Sequence, residues 1–177
     1  MTMNYDITEL IDRVKRKDML AMKILYNQHA KPMLSASFRI TQNKQDSEDI
    51  LQESFLKSFQ QIHQLKSPRQ YPAWLKRIVI NNSLNVSKKQ QYFESIEKAT
   101  DQYNEEDEHW YKGIPFDKIK EAIDQLPSGS RSIFTLYLIE GYKHKEVAEM
   151  LQISVSTSKS QYRYSLKLMK EMLLKLK

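Results

Sequence analysis

The 177-residue chain predicts an all-α protein: two small helical domains joined by an acidic flexible linker, the second a helix-turn-helix domain. Three observations carry that prediction. Glycine is scarce, with 3 residues where average usage of about 7% would place roughly a dozen. Apolar residues recur three and four apart, the period of a buried helix face, in both halves of the chain. Charge falls into three blocks: residues 1–90 hold 15 Lys/Arg against 8 Asp/Glu, residues 91–116 hold 2 against 7, and residues 117–177 hold 11 against 7. The expected division is a first domain at 1–91, a linker at 92–115 and a second domain at 116–177.

In the first domain the pattern opens at Asp18, with Leu20, Ile24 and Leu25 on one face, and runs to His29. Pro32 should break it, because a proline inside a helix removes a hydrogen bond and clashes with the preceding turn. A second segment then places Met33, Leu34 and Phe38 inward. The turn TQNKQ leads to Asp46, Ser47, Glu48 and Asp49, an acidic first turn suited to the positive end of a helix dipole. Leu51, Phe55, Phe59 and Ile62 form the apolar stripe of that helix, while Asp46, Asp49, Gln52 and Glu53 lie opposite. Ser67-Pro68 should end it. Another helix opens near Pro72 with Trp74, Leu75, Ile78 and Val79 inward, and its polar side carries Lys76, Arg77, Asn81, Asn82, Asn85, Lys88 and Lys89.

That last mixture suits nucleic acid. Asn can bond a base edge at two points, Arg and Lys hold phosphates, and an aromatic ring supports an unstacked base. The plainer alternatives are a core Trp74 and a solvated, Asn-rich helix end. The connector that follows contains four consecutive acids, Glu105 to Glu108, with Gly113 and Pro115 near its end. It reads as a tether, the alternative being a solvated surface. Two basic bodies on a tether fit a polyanion contacted at two separated places.

The second domain begins with a helix from about Phe116 to Gln125, stopped at Leu126-Pro127. Ser130, Arg131, Ile133, Phe134, Leu136, Tyr137 and Leu138 build the next, with Gly141 just past its end. A short helix follows with Val147, Met150 and Leu151 inward, then a turn at Gln152-Ile153 and a long helix capped by Ser154 or Ser156. Val155, Tyr162, Leu166, Met169, Leu173 and Leu176 form its apolar face; Ser156, Lys159, Ser160, Arg163, Lys167 and Lys170 lie opposite. A short support helix, a tight turn and a second helix with a small-polar, basic N-terminal end is the geometry that enters a DNA major groove. An amphipathic bundle helix with solvated lysines is the alternative.

Several classes of function are excluded or disfavoured. Without Cys there is no thiol nucleophile, disulfide or thiolate metal site. The three glycines stand too far apart for a phosphate loop. His29, His63, His109 and His144 are scattered and expected to be solvated singly. Asp46, Glu48 and Asp49 splay apart on one helix with no His beside them, so no metal site, catalytic residue or cofactor is expected. No run approaches the ~18 apolar residues of a membrane helix, and the N-terminal segment has no signal-peptide pattern. The expectation is a cytoplasmic binding protein with no membrane insertion.

Three segments, in this order, resemble the extracytoplasmic-function (ECF) sigma factors of the sigma-70 family: DSEDILQESFLKSF (46–59), PAWLKRIVINNSLN (72–85) and LPSGSRSIFTLYLIEGYKHKEVAEMLQISVSTSKSQ (126–161). The resemblance implies an initiation factor whose partners are core RNA polymerase and promoter DNA, with an anti-sigma factor as an optional third. It assigns Asp46, Asp49, Gln52 and Glu53 to the polymerase. Lys66, Tyr71, Trp74, Arg77, Asn81, Asn82, Asn85 and Lys88 go to the melted minus-ten element, the loop from Lys66 to Tyr71 holding a flipped base. Arg131, Lys143, Ser156, Thr157, Lys159, Ser160, Arg163 and Lys167 go to the minus-thirty-five element. Gln152 stands where the family usually has Gly, a position that needs positive φ and costs another residue up to about 1 kcal/mol. Ser158 replaces a usual Val, and Tyr164-Ser165-Leu166 replaces a more cationic run. The rival readings are an autonomous helix-turn-helix regulator, binding duplex DNA alone as a dimer, and a helical adaptor with no nucleic-acid role.

Overall fold

A computed structural model describes residues 6–87 and 113–174. Contacts group the chain into two compact units that divide after Ser87. Only Gly113, Ile114 and Pro115 of the expected linker, and none of Lys88, Lys89, His109 or the acidic run, fall within the described residues.

The first unit contains α1 (Ile7–Lys15), α2 (Met19–Thr41), α3 (Lys44–Gln60) and α4 (Tyr71–Ser87), with single 3-10 turns at Ile62–Gln64 and Pro68–Gln70. Helix α1, which the periodicity from Asp18 onward does not include, is capped by Asp6 and buries Leu10, Ile11 and Val14. The chain reverses through Lys17 at φ 62. Asp18 then caps α2, accepting from the N–H groups of Leu20 and Ala21 at 2.8 and 3.2 Å. Arg13 Nε donates to the same carboxylate at 2.8 Å and holds it below the ordinary Asp pKa.

Pro32 does not break the helix. α2 runs through it for 23 residues, with Pro32 on the exposed side. Leu25, Met33 and Ile40 bury before and after it, at roughly 1.5–3 kcal/mol each, which outweighs the ~3 kcal/mol that an interior proline costs. Leu20 and Phe38 are also misplaced by simple spacing: they are 57% and 36% exposed, and Ala21, Ala36 and Ser37 take the inward positions. Helix α3 ends at Gln60, before Ser67-Pro68, because the chain tightens into a 3-10 turn that sends Ile62 into the core. Pro68 instead opens the next turn, where its missing N–H costs nothing. Helices α2, α3 and α4 pack on one another around Leu25, Ile50, Leu51, Phe55, Leu75 and Val79.

The second unit contains α5 (Phe116–Asp124), α6 (Ser128–Phe134) running into a π-helical turn at Thr135–Ile139, α7 (His144–Leu151) and α8 (Val155–Leu174). Helices α5, α6 and α7 all pack on α8. The aliphatic core joins Ala122, Leu126, Phe134, Met169 and Leu173. Gly141 at φ 79 and Gln152 at φ 58 occupy the left-handed backbone expected of them. The π turn widens the end of the α6 segment, and Leu138 and Ile139 are 53% and 39% exposed. Val155 is 40% exposed, so the first turns of α8 face inward with Ser158 and Gln161 instead of an apolar stripe. No helix among the described residues is long and apolar enough to cross a membrane.

Candidate nucleic-acid interface

Helix α3 presents Asp49, Gln52 and Glu53 to solvent, with Asp46 half-buried beside them. Asn43 caps the helix, accepting from Gln45 and Asp46 N–H at 2.9 and 3.2 Å, so the acidic residues lie within its first three turns. One turn beyond Glu53 on the same face is Leu56, 61% exposed. An apolar residue within an acidic face suits a protein contact better than a solvated one.

Helix α4 separates its candidates. Arg77, Asn81 and Asn85 are exposed and four residues apart, one stripe along the helix, and Lys66 is exposed between the two 3-10 turns. Trp74 is half-buried, packed on the core with its ring 6.2 Å from that of Tyr71, so only part of it can meet a ligand. Tyr71 is a correction. It has no exposed surface, its hydroxyl lies 3.2 Å from Ser58 Oγ, and burial pushes its pKa up to about 12. It supports the Lys66–Tyr71 loop from beneath and cannot touch DNA. Asn82 is half-buried, and its Nδ2 donates to Ser54 Oγ at 3.0 Å, which ties α4 to α3.

Helix α8 has the clearest face. Ser154 caps it, accepting from the Thr157 N–H at 2.9 Å, and the Ser154 hydroxyl lies 2.7 Å from those of both Ser156 and Thr157. Ser156, Lys159, Ser160, Arg163 and Lys167 are exposed, Thr157 is half-buried, and Lys143 is exposed at the start of α7. Arg131 is half-buried, and its Nη1 donates to the backbone oxygens of Asp124 and Leu126 at 3.0 Å each, closing the end of α5. Burial lowers its pKa.

Residues 25–92 match the family Sigma-70 region 2, and residues 116–169 match Sigma-70, region 4. Together they span more than two thirds of the chain. The RNA polymerase sigma-H factor of Pseudomonas aeruginosa is 27% identical over 165 residues, 86% of each chain. The ECF RNA polymerase sigma factor SigW of Bacillus subtilis is 26% identical over 171 residues, 87% of this chain and 89% of its own. The chain belongs to the ECF subfamily of the sigma-70 family. A chain in the co-crystal structure of the sigma factor RpoE with the anti-sigma factor NepR from Bartonella quintana shares the fold, with a TM-score of 0.55 at 17% identity, covering 85% of this chain and 95% of that one.

Two histidines of this sigma factor are not the solvated singles expected from their spacing. His29 is half-buried in α2 with Nε2 enclosed and unbonded, and burial lowers its pKa. His144 stacks on Tyr137 with ring centroids 4.0 Å apart and bonds Ser158, and burial, then Lys159 and Arg163, lower its pKa. Both depend on residues distant along the chain, which spacing along one helix does not reveal.

Proposed function

We propose that this sigma factor binds core RNA polymerase through the acidic face of α3, Asp46, Asp49, Gln52 and Glu53 together with Leu56. It then engages the melted minus-ten element through Arg77, Asn81, Asn85, Lys66 and the open part of Trp74, with Lys88 beyond the described residues. Helix α8 reads the minus-thirty-five element through Ser156, Thr157, Lys159, Ser160, Arg163 and Lys167, with Lys143 on the phosphate backbone. The domain at 1–91 would thus serve the polymerase and the melted strand, and the domain at 116–177 the upstream duplex, across the linker at 92–115. Coupling two modest contacts through one polymerase raises the effective concentration of each. The protein acts by binding, without a reaction of its own, and works in the cytoplasm beside the polymerase. An anti-sigma factor is a fitting third partner, since the RpoE structure it resembles was solved with one.

The observation that carries this reading is the exposed polar-basic face at the capped start of α8, where the positive end of the helix dipole and cationic side chains lie together. Gel shift with and without core polymerase tests it. Promoter DNA should shift strongly only with core present, and run-off transcription should select one promoter class from a random library. A tight shift by the sigma factor alone, as a dimer, would favour an autonomous regulator. Asp49→Lys and Glu53→Lys should weaken core binding while helicity is unchanged, since charge reversal at an interface replaces attraction by repulsion.

A further inference from the structure

The second unit holds a ring cluster that promoter reading, as described above, does not use. His144, the first residue of α7, lies nearly parallel to Tyr137 at 4.0 Å, and Tyr162 of α8 meets it edge-on at 5.8 Å. Its Nδ1 is 2.9 Å from Ser158 Oγ, in the first turns of α8. Ser158 has no exposed surface and immediately precedes Lys159. The next inward residue, Gln161, accepts from Ser130 Oγ at 2.7 Å. With Val155 turned toward solvent, the start of α8 is held on its neighbours by these two directional bonds together with the Tyr162 ring, which packs on Phe134 and Tyr137.

We infer that His144 is a positioning residue for promoter reading: through Ser158 it sets the rotation of the first turns of α8, and with it the aim of Lys159 and Arg163. The inference rests on the reading of α8 as the DNA-contacting helix. Side chains extend about 5–6 Å from a helix axis, so a rotation of about 15° moves their tips by roughly 1.5 Å. The useful range of a hydrogen bond spans only about 0.5 Å, so such a rotation loses a base contact while leaving charge attraction to the backbone nearly intact. The expected signature is therefore lost selectivity with retained overall DNA affinity.

The test uses holoenzyme reconstituted from the full chain and core polymerase, on a promoter selected from a random library and its single-base variants in the upstream element. The parent should discriminate by about tenfold or more at each base read. His144→Ala and Ser158→Ala should each compress that ratio to about threefold or less, and the double variant should go no further, since both remove one bond. His144→Asn, whose amide nitrogen sits near the position of Nδ1, should restore discrimination. Lys159→Ala and Arg163→Ala serve as controls for the reading itself. If they change the preference while folded His144→Ala discriminates as the parent does, the inference is wrong and the reading stands. If His144→Asn fails as His144→Ala does, the bond is not the cause, and the inference is again wrong. If the controls leave preference unchanged, α8 is not the reading helix.

Discussion

Helices α4 and α8 carry the two nucleic-acid faces proposed for this sigma factor, and different physics holds each in place. The inward side of α4 is mostly hydrocarbon: Leu75, Val79, Ile80 and Leu84 are all 2% exposed or less, beside the buried Tyr71. Its polar ties, such as Ser83 Oγ to Ser37 Oγ at 2.9 Å, supplement a core that already closes. The fully buried residues in the first three turns of α8 are polar, Ser158, Gln161 and Ser165, flanked by the half-buried Tyr162 and Leu166, and the buried hydrocarbon comes later, at Met169 and Leu173. Apolar packing has no preferred direction and tolerates small shifts; hydrogen bonds fix an angle and fail when one atom is removed. Stability and aim are thus joined in α4 and largely separable in α8.

Five perturbations sharpen or break that contrast. The largest effect is expected from Leu75→Ala, which empties a site with 0% exposure and should cost about 2–5 kcal/mol in a denaturant titration. Gln161→Ala strands the buried Ser130 hydroxyl and should cost about 1–3 kcal/mol. Hydrogen exchange should place that loss in α8 while α4 amides keep their protection; equal loss in both would remove the distinction between the units. Next come Gln42→Gly and Gln152→Gly, at φ 53 and 58 after α2 and α7, each expected to gain about 1 kcal/mol. The similar gain would show that these helix ends obey the same backbone rule whatever their cores are made of.

The smallest effect is acid sensitivity. His29 and His144 both have folded pKa values below 6.5, so the unfolded chain takes up protons first as pH falls. Their contribution is fully present above 6.5 and is lost as pH falls through that value toward the folded pKa. Urea midpoints should therefore drop between pH 7.5 and 5.5, and His29→Gln should reduce the drop. A midpoint that rises on acidification would contradict the burial of these rings.

Much of this was legible in one dimension. The α3 stripe of Leu51 and Phe55, the serine cap of α8, Gly141 and the left-handed turn at Gln152 follow from local spacing and backbone chemistry. Pro32 does not end its helix because tertiary burial on both sides of it outweighs a local penalty. Tyr71, Asn82 and Arg131 sit on or near polar stripes, yet their partners are Ser58, Ser54 and the end of α5. Spacing says which face a residue occupies; only the packed structure says what already occupies its polar atoms. The inward polarity of Ser158 was visible as a departure from the family pattern, but its meaning needed His144, fourteen residues away.

The most direct test of the account is transcription by holoenzymes carrying Arg77→Ala or Lys159→Ala, measured across single-base variants of both elements of one selected promoter, with permanganate reactivity read in parallel. A clean separation is expected. Lys159→Ala should flatten preference, or weaken all sequences alike, at the upstream element only. Arg77→Ala should reduce permanganate reactivity of the melted region and leave upstream preference intact. If both substitutions alter the same element, or neither alters any, the assignment of one promoter element to each unit is contradicted.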